Sequence, residues 1–395
     1  MKSKKICVIT GTRAEYGLLK PLIAKINCDS SMELQLVVTG MHLSPEFGLT
    51  YHEIEQDGFT VTERNEMLLS SDTPNGVTKS IGLGIIGFAD IFTRIVPDLV
   101  VLLGDRYEAL AAATAAMIHR IPIAHIHGGE LTEGVIDEAI RHSITKMSSL
   151  HFTSTEQYRK RVIQLGERPE RVFCVGALGV ENIRTQSLLC REDLEKSLQF
   201  SLNVPYVMVT FHPVTLERHT AQVQIENLLD ALDAFREYHV IFTKANADTD
   251  GRIINQRIEE YANRNTERAI VVTSLGMVRY LSALQYCDIV IGNSSSGIVE
   301  VPSFQIPTVN IGDRQKGRTR GKSVIDCGWK KEEVVAAIQK AQVLRKDRTL
   351  EKMTNPYEGV NTSDSILASI KSYLHENHDI KKKFYDEQSR KLNSE

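Results

Sequence analysis

The chain has 395 residues, 42% hydrophobic and 25% charged, which excludes a disordered chain and exceeds what one hydrophobic core usually supports. Two domains with a cleft between them are therefore expected. Lys and Arg number 47 against 50 Asp and Glu, a formal charge of −3 with no basic block, so nucleic acid and an anionic membrane surface are poor partners.

The opening MKSKKICVIT lacks a signal-peptide core, and no uninterrupted apolar run approaches the ~20 residues that span a bilayer, so the cytoplasm is the expected compartment. Ile6 to Thr10, Leu34 to Thr39, Leu99 to Leu103, Pro122 to Ile126, His151 to Ser154 and Val172 to Val175 are short apolar runs without alternation. Such runs predict strands buried on both faces of a parallel sheet. Tyr107 to His119 and Ile136 to Met147 carry helical spacing between them.

The rhythm restarts with Tyr206 to Thr210, Val240 to Thr243, Ile270 to Thr273, Asp288 to Ile291, Thr308 to Ile311 and Val324 to Ile325. Two series of β-α units predict an α/β chain of two doubly wound, Rossmann-like domains, 1–185 and 186–361, with a polar and loosely ordered tail from 377 to 395. Six cysteines, Cys7, Cys28, Cys174, Cys190, Cys287 and Cys327, form no C-x-x-C pair and read as buried structural thiols.

Open parallel sheets bind ligands at the carboxyl ends of their strands. After the first strand, Gly11-Thr12-Arg13 enters a helix and offers an anion site, with a surface arginine as the plain alternative. It is not a G-x-G-x-x-G nicotinamide fingerprint. Asp105 and Arg106 follow LLG; His125, His127 and Glu130 follow the next strand; Asp137, Glu138, Arg141 and His142 lie on the helix beyond. This density of carboxylates and imidazoles suits proton abstraction and donation at carbon. Asp105 as a helix cap, or a metal held by His125 and His127, are the competing readings, and no metal or cofactor is expected.

In the second half His212 ends a strand, opposite the acidic cluster. Asn293-Ser294-Ser295-Ser296 enters a helix and can present N–H groups to a phosphate, with Glu300 one to two turns in to receive ribose hydroxyls. Arg314, Lys316 and Arg318 follow the next strand and add charge.

GTRAEYG, VVTGMHLSPEFG, LGDRYE, HIHGGE, DEAIRHSITKMSSLHFTSTE, TFHPVT, GNSSSGIVEVPSF and NIGDRQKGR, in that order over roughly Lys5 to Ser372, resemble the bacterial hydrolysing UDP-N-acetylglucosamine 2-epimerases of sialic acid or legionaminic acid pathways. The resemblance implies a glycosyltransferase-B-like pair of lobes, the first on the sugar and catalytic side and the second holding UDP, with a helix over 362–376 crossing back to the first. It further implies that Arg13, Asn293, Ser294 and Ser295 grip the diphosphate and that Glu300 holds the ribose. Backbone near Leu275 would take the uracil, and Arg106, His212, Asn246 and Arg314 would line the phosphate and sugar region. Asp105 and Asp137 match catalytic carboxylates; where relatives often carry glutamate this chain has His127, so Glu130 or His127 fills the third acid/base slot, with Glu130 preferred.

The implied reaction eliminates UDP to a 2-acetamidoglucal and then adds water, releasing N-acetylmannosamine. A homo-oligomer acting on a small UDP-sugar is expected. Rival readings are a 2-epimerase for UDP-2,4-diacetamido-2,4,6-trideoxyglucose, a non-hydrolysing epimerase, a glycosyltransferase, and a silent nucleotide-sugar sensor, against which Asp105, Asp137 and His212 together speak.

Overall fold

The structure is a computed structural model describing residues 3–217, 220–246, 248–347, 349–376 and 381–386. The first sheet comprises β1 (Lys4–Thr10), β2 (Met32–Thr39), β3 (Val61–Asn65), β4 (Leu99–Leu103), β5 (Ile123–Ile126), β6 (Leu150–Thr153) and β7 (Val172–Cys174), in the order β3-β2-β1-β4-β5-β6-β7. The second comprises β8 (Tyr206–Thr210), β9 (His239–Thr243), β10 (Ala269–Val272), β11 (Ile289–Gly292), β12 (Thr308–Ile311) and β13 (Val324–Cys327), in the order β10-β9-β8-β11-β12-β13. All neighbours pair in parallel.

Continuous apolar runs arise because helices cover both faces of each sheet. On β1, Ile6 and Val8 pack beneath the helix Arg13–Cys28, while Cys7 and Ile9 face the helices Pro74–Ile95 and Tyr107–Ile118. On β8, Val207 and Val209 enter one core and Tyr206 and Met208 the other. Side chains of a strand alternate between faces, so both sets must be apolar when both faces are covered. The helix Pro74–Ile95 is long and apolar enough to cross a membrane, and its Phe88, Ile91, Phe92 and Ile95 are buried in the first lobe's core.

Three expectations are corrected. The edge strand β3 was not anticipated: its side chains alternate between half-buried and exposed, so VTERN carries no apolar run. Only Cys7 and Cys287 are buried thiols; Cys174 lies on the edge strand β7 and is exposed, as are Cys28 and Cys190. Of the polar tail, residues 377–380 and 387–395 lie outside the described residues, whereas 381–386 packs against the first lobe, with Tyr385 N donating to Gly166 O at 2.9 Å.

The chain passes from one sheet to the other between Cys174 and Tyr206 and returns through 357–362. The two passages touch at a pair of glycines. A Cβ on Gly176, whose φ is +85°, would come within 2.4 Å of Gly359 Cα, and one on Gly359 within 2.1 Å of Val175 O, so neither position admits a side chain. The returning chain forms the helix Thr362–His375, whose Ile366, Ile370 and Tyr373 join the first lobe's core beside Leu19, Leu22 and Ile26.

Replacing fully buried Ile370 by Ala should cost about 2–4 kcal/mol through lost transfer energy and a residual cavity, read as a lower denaturation midpoint. An unchanged midpoint would show that this helix does not hold the first lobe together.

Candidate active site

Both sheets have the order in which the chain leaves the first strand in one direction and the fourth in the other. Crevices therefore open at the carboxyl ends of β1 and β4, and of β8 and β11. At the first, Thr12 Oγ1 caps the helix Arg13–Cys28 by accepting from Glu15 N at 3.2 Å, and Glu15 Oε2 accepts from Gly11 N at 2.7 Å. This reciprocal cap fixes the turn that presents Arg13. Arg13 Nη1 donates to Ser274 O at 3.0 Å and its Nε lies 2.6 Å from Glu53 Oε2, so the guanidinium bridges the two lobes.

At the end of β4, Gly104 takes a φ of +75°, and its carbonyl accepts from His125 Nε2 at 2.7 Å. Burial drives His125 down to about 3, leaving it a neutral brace beneath the turn that carries Asp105. Asp105 pairs with Arg141. The fully buried Arg141 also donates to Glu130 O at 2.8 Å, Thr132 Oγ1 at 2.8 Å and Glu138 Oε2 at 2.9 Å. Burial would raise the Asp105 carboxyl, but Arg141, Arg318 and Arg314 outweigh it and hold the group below the usual carboxylate range.

Asp137 opens the helix Asp137–Met147, with Arg141 one turn further along. Burial, then the charges of Asp105 and Asp248, push its carboxyl up to about 7, against Arg314 and Arg106. Two neighbouring carboxyls are thus driven apart, one ionised and one able to carry a proton near neutrality.

Glu130, 3% exposed, has both oxygens engaged: Oε1 accepts from Ser154 Oγ at 2.9 Å and Oε2 lies 2.5 Å from Arg318 Nη1 of the second lobe. His127 adopts a left-handed φ of +66°, and its buried Nε2 has no hydrogen-bond partner among the described residues. Burial lowers its pKa, Glu130 works against that and Arg318 adds to it.

From the second lobe, Asn293 braces the end of β8: its Oδ1 accepts from His212 N at 2.7 Å and its Nδ2 donates to His212 O at 2.7 Å. This turns buried His212 into the cleft, where burial, Arg314 and Arg106 lower it to about 3 and Asp248 opposes them. Its Nδ1 is buried without a partner among the described residues. Arg314 Nη1 donates to Asn293 O at 3.1 Å, and burial lowers its pKa against the pull of Asp137, Asp248 and Asp105.

Arg106 spans the lobes between Glu108 (3.2 Å) and Asp248 (3.4 Å), next to the loop of Asn246. Leu275 is buried and precedes the helix Gly276–Tyr286. Ser294 and Ser295 sit between β11 and the single helical turn Ser296–Val299, and Ser296 Oγ accepts from Tyr280 Oη at 2.7 Å. Glu300 therefore stands at the end of that turn, not within a longer helix; burial raises its carboxyl, and a Cβ on Gly179 would come within 2.1 Å of its Oε1.

The structure thus gathers Asp105, His127, Glu130, Asp137, His212, Arg106 and Arg314 into one electrostatic cluster between the lobes. Asp248 and Glu15 were missed. Glu15 stood in the Thr12-x-x-Glu15 capping pattern, whereas Asp248 lies in a loop with no sequence signal.

A sequence profile described as UDP-N-acetylglucosamine 2-epimerase matches residues 24–371. The GDP/UDP-N,N'-diacetylbacillosamine 2-epimerase (hydrolyzing) of Campylobacter jejuni is 46% identical over 82% of this chain and 85% of its own. Polysialic acid biosynthesis protein P7 of Escherichia coli is 41% identical over 97% of both chains. The crystal structure of UDP-GlcNAc 2-epimerase from Neisseria meningitidis bound to UDP-GlcNAc superposes with a TM-score of 0.75, covering 93% of this chain and all of that one, and its 16% identity makes this a likeness of fold. With a profile match over most of its length and relatives this similar, the chain belongs to the UDP-N-acetylglucosamine 2-epimerase family.

Proposed function

We propose that the protein is a hydrolysing 2-epimerase that converts UDP-N-acetylglucosamine into UDP and N-acetylmannosamine. The observation that carries this reading is the split pair, an ionised Asp105 beside an Asp137 raised to about 7, facing Arg106 and Arg314. In the first step Asp105 accepts the C2 proton while the C1–O bond breaks and the electron pair leaves with UDP. Water then adds its oxygen to C1 of the glucal, yielding a proton to the free Nε2 of His127, and Asp137 delivers a proton to the opposite face of C2. Because both oxygens of Glu130 are engaged, the preference for Glu130 is reversed, and His127 with its free Nε2 takes the third acid/base slot.

Arg13, His212, Arg314 and the Ser294-Ser295 turn hold the departing diphosphate, where positive charge and N–H groups stabilise the leaving group, while Asn293, whose amide and backbone N–H are all engaged by His212 and Thr210, braces the turn and does not grip the phosphate. Glu300 receives the ribose hydroxyls, backbone at Leu275 the uracil, and Arg106 and Asn246 border the sugar. The hydrolysing outcome is supported by the name of the Campylobacter relative. That name also favours a second reading, in which the sugar is 2,4-diacetamido-2,4,6-trideoxyglucose.

Incubation with each UDP-sugar in D₂O, followed by proton NMR, tests the scheme. N-acetylmannosamine bearing deuterium at C2 is expected, and Asp105→Asn and Asp137→Asn should remove most turnover. Product from the diacetamido sugar alone would select the second reading, and a C2 hydrogen retained from substrate would overturn the elimination.

The proton on Asp137 sets a pH dependence. Its protonated form is present below about pH 7 and lost above, so kcat should fall as pH rises through that value. A profile flat to about pH 9 would take Asp137 out of the donor role.

Glu300→Ala should weaken UDP binding by about 1.5–3 kcal/mol, as for a lost charge-assisted hydrogen bond, with the fold intact. Calorimetry showing the parent affinity would remove Glu300 from the ribose site.

A further inference from the structure

Behind the helix Asp137–Met147, at the end remote from Asp137, lies the segment 381–386. Lys382 Nζ donates to Ser148 O at 2.7 Å, Lys146 O at 2.8 Å and Glu167 Oε2 at 2.7 Å, with Thr145 O at 3.4 Å. Carbonyls at a helix C-terminus have no donor in a following turn, and a cation there also meets the negative end of the helix dipole. One ammonium therefore caps this helix.

The anchorage is built, not incidental. Glu167 is 2% exposed at its side chain and gathers Lys146 at 2.6 Å, His151 at 2.9 Å and Lys382. The Phe384 ring lies against Gly166, where a Cβ would come within 2.2 Å of it, and Lys146 Nζ stands 4.9 Å from its centre. Tyr385 N pairs with Gly166 O. Backbone and cation fix the segment to the end of this helix and the loop following the helix Glu156–Gln164, while the Phe384 ring, 63% exposed, rests on Gly166 from outside.

The capped end also connects to the cleft. Thr145 Oγ1, in the last turn, lies 3.2 Å from Nδ1 of His125, whose Nε2 supports the Gly104 carbonyl preceding Asp105. At the other end, roughly 15 Å away at 1.5 Å per residue, the same helix presents Asp137, and Arg141 between them pairs with Asp105. A helix held at one end by Lys382 and in the middle by buried Arg141 keeps Asp137 in one place. The family profile ends at residue 371, before this segment begins.

We infer that residues 381–386 are a strap that sets the position of the Asp137 helix, and that Lys382 is a positioning residue for the reaction at Asp105 and Asp137. The inference rests on the catalytic roles given under Proposed function. A displacement of about 1 Å at a reacting group lowers turnover strongly while ground-state contacts made by the other lobe survive.

The test uses the full chain with Lys382→Met, Lys382→Arg and Phe384→Ala. Steady-state kinetics with the UDP-sugar, calorimetry with UDP, thermal unfolding and hydrogen exchange at amides 144–148 are read together. Lys382→Met should lower kcat about tenfold with KM and UDP affinity within about twofold, Phe384→Ala should lower it less, and Lys382→Arg should restore most of the Lys382→Met loss. Amides 144–148 should exchange faster in the Met variant. Unchanged kcat, or equal losses in the Met and Arg variants that track a lower unfolding temperature, would overturn the positioning role. Unchanged exchange in Lys382→Met would overturn the strap whatever reaction the protein runs, whereas a parent protein inactive on both UDP-sugars would sink the proposed function and leave the exchange result standing.

Discussion

The buried guanidinium of Arg141 organises the first lobe's half of the site. Taking that charge out of water costs several kcal/mol unless acceptors surround it, and here they come from the turn after β4, the segment after β5 and its own helix. Three stretches of chain are thereby tied to one point. The electrostatics follow from it: Arg141 keeps Asp105 ionised, and ionised Asp105 is among the charges that raise Asp137. Neutralise Arg141 and the separation of the two carboxyls loses its cause.

The second lobe completes the arrangement by contributing cations to it. Arg318 reaches across to Glu130, Arg314 faces Asp137 and Asp105, and Asp248 returns a negative charge to Arg106. Close by, the hydroxyls of Tyr158 and Tyr357 lie 2.8 Å apart, Tyr357 donates to Thr319 O and Thr319 N donates to Tyr158, each at 2.8 Å. The lobes meet here through these directional polar contacts and through an apolar cluster in which Ala177 and Val180 join Ile298 and Val299, and the polar part loses more from a small misalignment than the apolar part does.

Most of the fold was legible because sheets covered on both faces demand apolar residues at every position, and such runs stand out in a sequence. The exception, β3, is an edge strand for which that demand does not exist. The residues that cluster between the lobes were legible in type and place, Asp105 and Asp137 above all, because strand ends in a doubly wound sheet are few and chemically conspicuous. What the sequence concealed was partnership. Nothing in HIHGGE indicates that Glu130 is engaged by Arg318, nearly two hundred residues away, while His127 is left with a free nitrogen. Likewise the polar segment 381–386 looks loose, since its anchorage depends on carbonyls and a buried carboxylate contributed by distant chain.

On the acid/base role proposed for His127, its left-handed backbone sets stability against chemistry at a single residue. A non-glycine side chain at that φ costs of order 1–2 kcal/mol, which glycine would relieve. Laboratory evolution scored on heat resistance alone would therefore be drawn toward glycine at 127, and each molecule gaining that stability would lose the imidazole that feels the charges of Glu130 and Asp105. Screens that pair survival after heating with turnover would keep the strained histidine, and the gap between the two outcomes would measure how much folding energy this family member forgoes to keep a ring nitrogen in its cleft.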